Sequence, residues 1–492
     1  MSTKVDIASL FAPKATDIPY ICEDELIISL ICRTDSYKFG HPKSYRKGIK
    51  GMSSYCEARV PKSQTIIPFG LQMYVKKFLS KRITMEHIDA AEKFCLGHFG
   101  RPLFARAEWE KVVNEFNGFL PLIIRAVREG TPVQGGLPLY SVTCLDGDLA
   151  WMASGIETSL LRGEWYTTTI ATLDFEIKKE IKRLYELTGA DMGLLPFSLH
   201  DFGGRGVTCS EQAENGGAAH LVNFMGSDTV EGVLAANFYY RHEMAAFSVI
   251  ATEHSIECSF GLDNEGEKEY LRHILTTWAK PGCIVSIVID GKDVFRCAEV
   301  LCTEFRDLII ASGAKVVFRP DSGDMMETIP RILRMQELAF GTTLTAKGFK
   351  KINYVGIIQG DGIDRQGMAI KAVLGKIISM GFSADCVIFG SGGGLLQGVS
   401  RDTFQFAQKA SAILVDGKWI GIAKDPVTDP GKKSKEGVMT LVRSKMTGEL
   451  MAARLDQGPL DGEFEDMHVL IYHCGTFYNE IALSEVRENT GI

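Results

Sequence analysis

No C-x-x-C motif occurs in this sequence, although it contains 12 cysteines. Its closest pair with functional spacing in question, Cys297 and Cys302, is set too wide for a zinc ribbon or a thioredoxin-like centre. The thiols fit buried, reduced residues of a reducing compartment. Long apolar runs are also missing: none approaches the ~18 residues that cross a bilayer, so no membrane partner is expected. The first residues, MSTKVDIASL, lack the basic-then-apolar order of a secretory signal, and a cytoplasmic location is the expectation. Net positive charge is absent, with 54 Lys and Arg against 61 Asp and Glu. A net charge of −7 argues against nucleic acid as a partner. An anionic substrate must therefore meet a local basic pocket rather than a global positive field. There is no internal repeat and no low-complexity segment.

What is present is ordinary globular material, 45% hydrophobic and 23% charged over 492 residues, enough for two or three domains. Residues 1–25 read as an irregular arm leading to an apolar segment at 26–32. Residues 65–130 read as an α+β region with helix-like stretches at 71–80 and 108–116. Apolar, β-branched runs then begin at Cys283, Lys315, Tyr354 and Cys386, spaced 32, 39 and 32 residues apart. Segments with helical periodicity, such as Ile329–Ala339 and Met368–Ser379, lie between them. This alternation predicts βαβ units and a parallel sheet, open or closed as a barrel. Phe197–Phe202 and Ser248–His254 read as earlier strands of the same sheet. After about residue 405 the pattern becomes hairpin-like, with turns at Asp416–Gly417, Thr447–Gly448 and Gly475. This antiparallel part is expected to pair with the N-terminal region.

The run Gly390–Gly394 follows a strand, where clustered backbone N–H groups bind phosphate. It fits neither the Rossmann fingerprint, whose last glycine falls on Leu395, nor a Walker A loop. Read alone, it is equally a tight turn. Asp290, Asp321 and Asp361 end three successive strands. One such aspartate is most simply a helix cap, but three form a rim suited to hydroxyls, a magnesium ion or a histidine ring. Arg319 beside Asp321 offers a planar fork of donors, or a brace for its own loop. His254, His220 and Asp228 remain open between structural and substrate roles. Lys424–Lys435 holds four lysines and reads as a solvated loop or a pyrophosphate clamp.

Together these segments resemble the nicotinamide phosphoribosyltransferase family of type II phosphoribosyltransferases. The resemblance lies in TDSYK (34–38), HDFGGRG (200–206), HLVNFMGSDTV (220–230), EHS (253–255), RPDSG (319–323), IQGDGID (358–364), FGSGGGLLQ (389–397), RD (401–402), and KDPVTDP with KKSK (424–435). These nine blocks occur in the family's order across residues 30–490. The resemblance implies an α/β fold: an irregular (β/α) barrel over 161–404, and an α+β domain from 1–160 and 405–492.

It further implies transfer of the phosphoribosyl group of phosphoribosyl pyrophosphate to nicotinamide, in NAD salvage. ATP hydrolysis would be coupled through a phosphohistidine at His254, with Mg2+ accompanying pyrophosphate or ATP. By the same resemblance Phe202 and the partner subunit's Tyr37 stack on the pyridine ring, as offset stacking favours. Asp228 accepts from the carboxamide, with Ser248 and Arg205 also lining the substrate. Arg319 donates near the amide and ribose, and Asp321 contacts ribose hydroxyls. Asp290 orients His254. Gly360, Asp361, Gly392 and Gly393 cradle the 5′-phosphate. Arg59, Arg401, Lys409 and Lys424 form a basic ring from the neighbouring chain, so a homodimer with shared sites is expected. Two positions depart from the pattern: Gly204 stands where a bulky residue is expected, and Ala407 where a small hydroxyl is expected. The region 59–130 matches the family poorly. The rival readings are nicotinate phosphoribosyltransferase, which Asp228 disfavours, and a non-catalytic nucleotide-binding signalling protein.

Overall fold

A computed structural model describes residues 29–428, 433–458, 460 and 462–492. The N-terminal arm, residues 26–28 of the apolar segment after it, and Lys432 of the lysine-rich loop lie outside the described residues.

Two seven-stranded sheets organise the chain. The first is parallel. In chain order its strands are β1 (Leu199–Asp201), β2 (Gly226–Ser227), β3 (Ile250–Ala251), β4 (Ile284–Val288), β5 (Lys315–Arg319), β6 (Val355–Gln359) and β7 (Val387–Ser391). Each pairs in parallel with its neighbour in sequence, and β7 pairs back to β1. Between β2 and β3 the link is the parallel bridge Gly226–Phe247, where the Ser227 N–H donates to the Phe247 carbonyl at 3.2 Å. The ring is therefore an irregular barrel. Its weak quarter lies where strands are two or three residues long, and the strand expected over Ser248–His254 shrinks to Ile250–Ala251. His254 instead opens the helix His254–Ser259.

Helices return the chain between strands, and their apolar faces close the barrel's outside. Met368–Ser379 buries Ile370, Val373, Leu374 and Ile377, an i, i+3, i+4, i+7 stripe. Met325–Phe340 starts on an Asp324 cap whose carboxylate accepts the Met326 N–H at 2.8 Å, and Pro330 is tolerated within its second turn.

The second sheet is antiparallel and draws on both ends of the chain. Its order is Lys418–Gly421, Phe406–Val415, Ile49–Ala58, Pro138–Cys144, Ile123–Val127, His468–His473, Thr476–Phe477. The C-terminal hairpins thus pair with N-terminal strands, as in the register Tyr55–Lys409. The 32-residue helix Glu157–Thr188 joins the two halves, giving Leu160 and Leu161 to one core and Ile170, Phe175 and Ile181 to the other. All the described cysteines are free thiols, and no described helix is long and apolar enough to cross a membrane.

Candidate active site

The carboxyl ends of all seven barrel strands converge on a cleft of about 960 Å³. Phe202 follows β1, Asp228 follows β2, and His254 lies just beyond β3. Asp290, Asp321 and Asp361 each sit two residues past the ends of β4, β5 and β6, while Gly392 and Gly393 follow β7. This is the edge at which barrels place ligand chemistry.

At one end of the cleft, Phe202 is held by its N–H, which donates to the Ser391 carbonyl at 2.9 Å. Its ring lies flat against β7: a Cβ on Gly390 would fall 2.0 Å from Phe202 Cε2. Glycine is required there for the ring to occupy its place. Beside it, the Asp228 N–H donates to the Asp201 carbonyl at 2.9 Å, and the Ser248 hydroxyl donates to Asp228 Oδ1. The other face of the Asp228 carboxylate stays available to a ligand donor.

At the centre, Asp290 is nearly fully buried, with 3% of its side chain exposed, yet it accepts three hydrogen bonds. His254 Nε2 meets Oδ1 at 3.0 Å; the Ser322 hydroxyl and the Asp321 N–H donate to Oδ2 at 2.5 and 3.2 Å. A buried carboxylate so held orients the imidazole, whose ring remains about half exposed to the cleft. Burial raises the Asp321 carboxyl above the usual carboxylate range; Arg319 opposes this, and Asp290 adds to it. The buried Arg319 Nε has no hydrogen-bond partner among the described residues, so the guanidinium keeps a donor for a ligand. Gly360 is packed as tightly as Gly390, since a Cβ there would fall 1.9 Å from Asp321 Oδ1.

The glycine run leads into a helix of only four residues, Gly393–Leu396. Backbone N–H groups, not a long helix dipole, are what it offers an anion.

Six expected site residues do not line this cleft: Ser248, which bonds the cleft-lining Asp228, and Tyr37, Arg59, Arg401, Lys409 and Lys424. Tyr37 stands 61% exposed on the short helix Ser36–Gly40, with its ring 5.3 Å from that of His41. Lys409 pairs with Glu157 at 3.1 Å, and Lys38 reaches the same carboxylate at 3.2 Å. Arg59 pairs with Glu57 at 3.0 Å, and Lys435 bonds the same glutamate. Arg401 pairs with its neighbour Asp402 at 3.1 Å, while Lys424 is exposed and anchored by its N–H to Ser434 Oγ at 2.8 Å. These residues form a basic edge of the antiparallel sheet.

His220, left open by the sequence, takes a structural role. Its ring is wholly buried, with Nδ1 2.7 Å from Asp174 and Nε2 3.1 Å from the Gly226 carbonyl. Conversely, Thr229, Glu231 and Ser322 line the cleft without having been singled out. For Thr229 and Ser322, their places immediately after Asp228 and Asp321 were the available signal.

Residues 197–480 match the nicotinate phosphoribosyltransferase (NAPRTase) family, and residues 29–124 match the N-terminal domain of nicotinamide phosphoribosyltransferase. The chain belongs to this family. Curated relatives place it on the branch of enzymes named nicotinamide phosphoribosyltransferase. That of Xanthomonas campestris is 42% identical, covering 93% of this chain and 97% of its own. That of Acinetobacter baylyi is 31% identical, covering 92% and 95%. Among solved structures, human nicotinic acid phosphoribosyltransferase superposes with a TM-score of 0.57 at 16% identity, covering 93% of this chain and 92% of that one. At that identity the likeness speaks for the fold alone. It agrees with the barrel and separate antiparallel sheet seen here.

Proposed function

We infer that this enzyme transfers the 5-phosphoribosyl group of phosphoribosyl pyrophosphate to nicotinamide in NAD salvage, giving nicotinamide mononucleotide and pyrophosphate. The observation that carries this reading is the juxtaposition of an aromatic ring and a free carboxylate face, Phe202 and Asp228, on the rim that also holds Arg319 and Asp321. Phe202 supplies one stacking face for a flat pyridine. Asp228 accepts from a carboxamide N–H and repels a carboxylate, which separates nicotinamide from nicotinate by charge.

In the reaction, the pyridine nitrogen forms a bond to the anomeric carbon as the carbon–oxygen bond to pyrophosphate breaks. The leaving group takes the electron pair. Asp321 holds ribose hydroxyls, and the N–H groups around Gly360, Asp361, Gly392 and Gly393 hold the 5′-phosphate. Catalysis is positioning plus stabilisation of charge, with no side-chain nucleophile. Asp321 and Asp361 present hard oxygen donors suited to the Mg2+ that pyrophosphate carries. His254, half exposed and oriented by Asp290, is the group for phosphorylation by ATP.

The charge balance of the cleft supports a shared site. Asp228, Glu231, Asp290, Asp321 and Asp361 line it, against only Arg205, Arg319 and His254. A polyphosphate substrate needs further cations, and the basic edge has them in Arg59, Arg401, Lys409 and Lys424. A homodimer that docks one chain's edge, with Tyr37, on the other chain's cleft supplies both. Helix Val230–Tyr239, which begins beside Asp228, exposes an apolar stripe of Val230, Leu234 and Phe238 at 61–76% exposure, fit for such an interface. A cytoplasmic location belongs to the same proposal, and free thiols at the described cysteines are compatible with it.

Purified protein supplied with phosphoribosyl pyrophosphate, Mg2+ and nicotinamide is expected to form the mononucleotide. With ATP added, His254→Ala is expected to lose nicotinamide-stimulated ATP hydrolysis while keeping weak transfer. Absence of any mononucleotide from the unmodified protein would favour the non-catalytic reading, and unchanged ATP hydrolysis in the variant would remove His254 from its role.

A further inference from the structure

Beside the His254–Asp290 pair, outside the cleft lining, lies a closed cluster that the transferase reaction does not use. Glu257 and Glu267 are 1% and 4% exposed, and Cys297 is fully buried. One ligand atom from each lies within 4.8 Å of the others. Glu257 shares the helix His254–Ser259 with His254, and Gly291, next to Asp290, packs directly on its carboxylate, where a Cβ would fall 2.4 Å from Oε2.

Two of the four carboxylate oxygens, Glu257 Oε2 and Glu267 Oε1, are buried without a hydrogen-bond partner among the described residues. The remaining Glu267 oxygen accepts from Arg296 Nη2 at 2.7 Å, so Glu267 is fixed with its other oxygen turned to the cluster. Leaving such groups unmet costs about 1–3 kcal/mol each, so the cluster calls for an occupant. A single shared proton joins only two oxygens and leaves the Cys297 thiol, the cluster's third donor, outside the arrangement. A metal ion bonded at roughly 2.0–2.3 Å to each ligand spans a wider set of donors, of the size found here. Charge agrees as well. Two carboxylates and a thiolate carry −3; Arg296 and a divalent cation restore neutrality.

We propose that Glu257, Glu267 and Cys297 form a buried divalent-cation site, of the zinc class, that ties the His254 helix to the helices Asn264–Trp278 and Val294–Thr303. The mixed oxygen and sulfur donors select zinc over magnesium or calcium, which prefer oxygen alone. Arg296 acts as the outer group that orients a ligand. Burial raises both the Glu257 carboxyl and the Cys297 thiol, so loading the site expels protons.

The test is metal content of the full-length protein after equilibration with Zn2+ and removal of free ion, together with the absorption of the Co2+-loaded form. About one tightly held ion per chain is expected, with a thiolate-to-Co2+ charge-transfer band. Cys297→Ala should abolish the band and Glu257→Gln should cut Zn2+ retention at least tenfold, leaving any ion held by the exposed Cys209 and Cys258 unaffected. Absence of both a retained ion and the band in the unmodified protein overturns the proposal, with no variant needed. Equal retention in a folded Glu257→Gln protein also overturns it.

Discussion

The barrel rim and the basic edge of the antiparallel sheet are built on opposite principles. On the rim, carboxylates outnumber guanidiniums, and the central one, Asp290, is buried and triply hydrogen-bonded. On the edge, Lys409 is partly exposed and rests on Glu157, while Arg59 is largely buried against Glu57. Exposed pairs of the Lys409 kind are worth about 0–1 kcal/mol, so an incoming phosphate can take over the lysine at little cost. Removing a partner from Asp290, by contrast, strands a buried charge. The rim is therefore preorganised, and the edge is adaptable. That difference suits a site in which one chain fixes the ring and ribose and another clamps the phosphates.

The comparison breaks most sharply at Gly390. Gly390→Ala must displace the Phe202 ring, and a shift of about 1 Å at a substrate-positioning group costs about 10²-fold. The loss should fall on kcat/KM for nicotinamide in a protein that still melts cooperatively. Near-normal kinetics would mean that Phe202 does not set the ring position. A mixing experiment is next in size. Tyr37→Ala and Asp228→Ala chains, each nearly inactive alone, should regain roughly a quarter of wild-type activity when reassembled, because one site in each mixed dimer is intact. No recovery would detach the edge from the rim.

The smallest effect concerns stability and touches both regions equally. His200 on β1 and His468 in the antiparallel sheet are buried, and burial lowers each imidazole to about 4. Above pH ~6.5 both are neutral whether folded or unfolded. As pH falls from there towards 4, the unfolded chain binds protons that the native chain refuses, so stability declines. Thermal melts should show Tm falling through this window, with a shallower slope in His468→Gln. A Tm that holds steady down to pH 4 would contradict the assignment.

The same contrast explains what could be read in the sequence. Barrel strands β4 to β7 announced themselves as apolar runs, and Met368–Ser379 was bounded correctly by its 3.6-residue period. β2 and β3, at two residues each, are too short for any periodicity, and only the bridge Gly226–Phe247 reveals their place. On the rim, Asp290, Asp321 and Asp361 were legible because each follows its strand by a fixed interval. His220 stayed open, since a buried histidine paired with Asp174 leaves the same trace in sequence as a catalytic one. Along the edge, the pairing of Tyr55 with Lys409 joins residues more than 350 positions apart, and nothing local encodes that Lys409 rests on Glu157. Glu231 was missed because a charged residue in a helix's first turn is ordinary. Its place on the cleft depends on the barrel being closed.

The central claim is the choice of an amide over an acid at Asp228, and a single comparison of kcat/KM for nicotinamide and nicotinate tests it most directly. A carboxylate on the cleft wall that accepts from one ligand and repels the other should separate them by about 10²-fold or more, and Asp228→Ser should narrow the gap. Equal values for the two substrates in the unmodified enzyme would contradict the account.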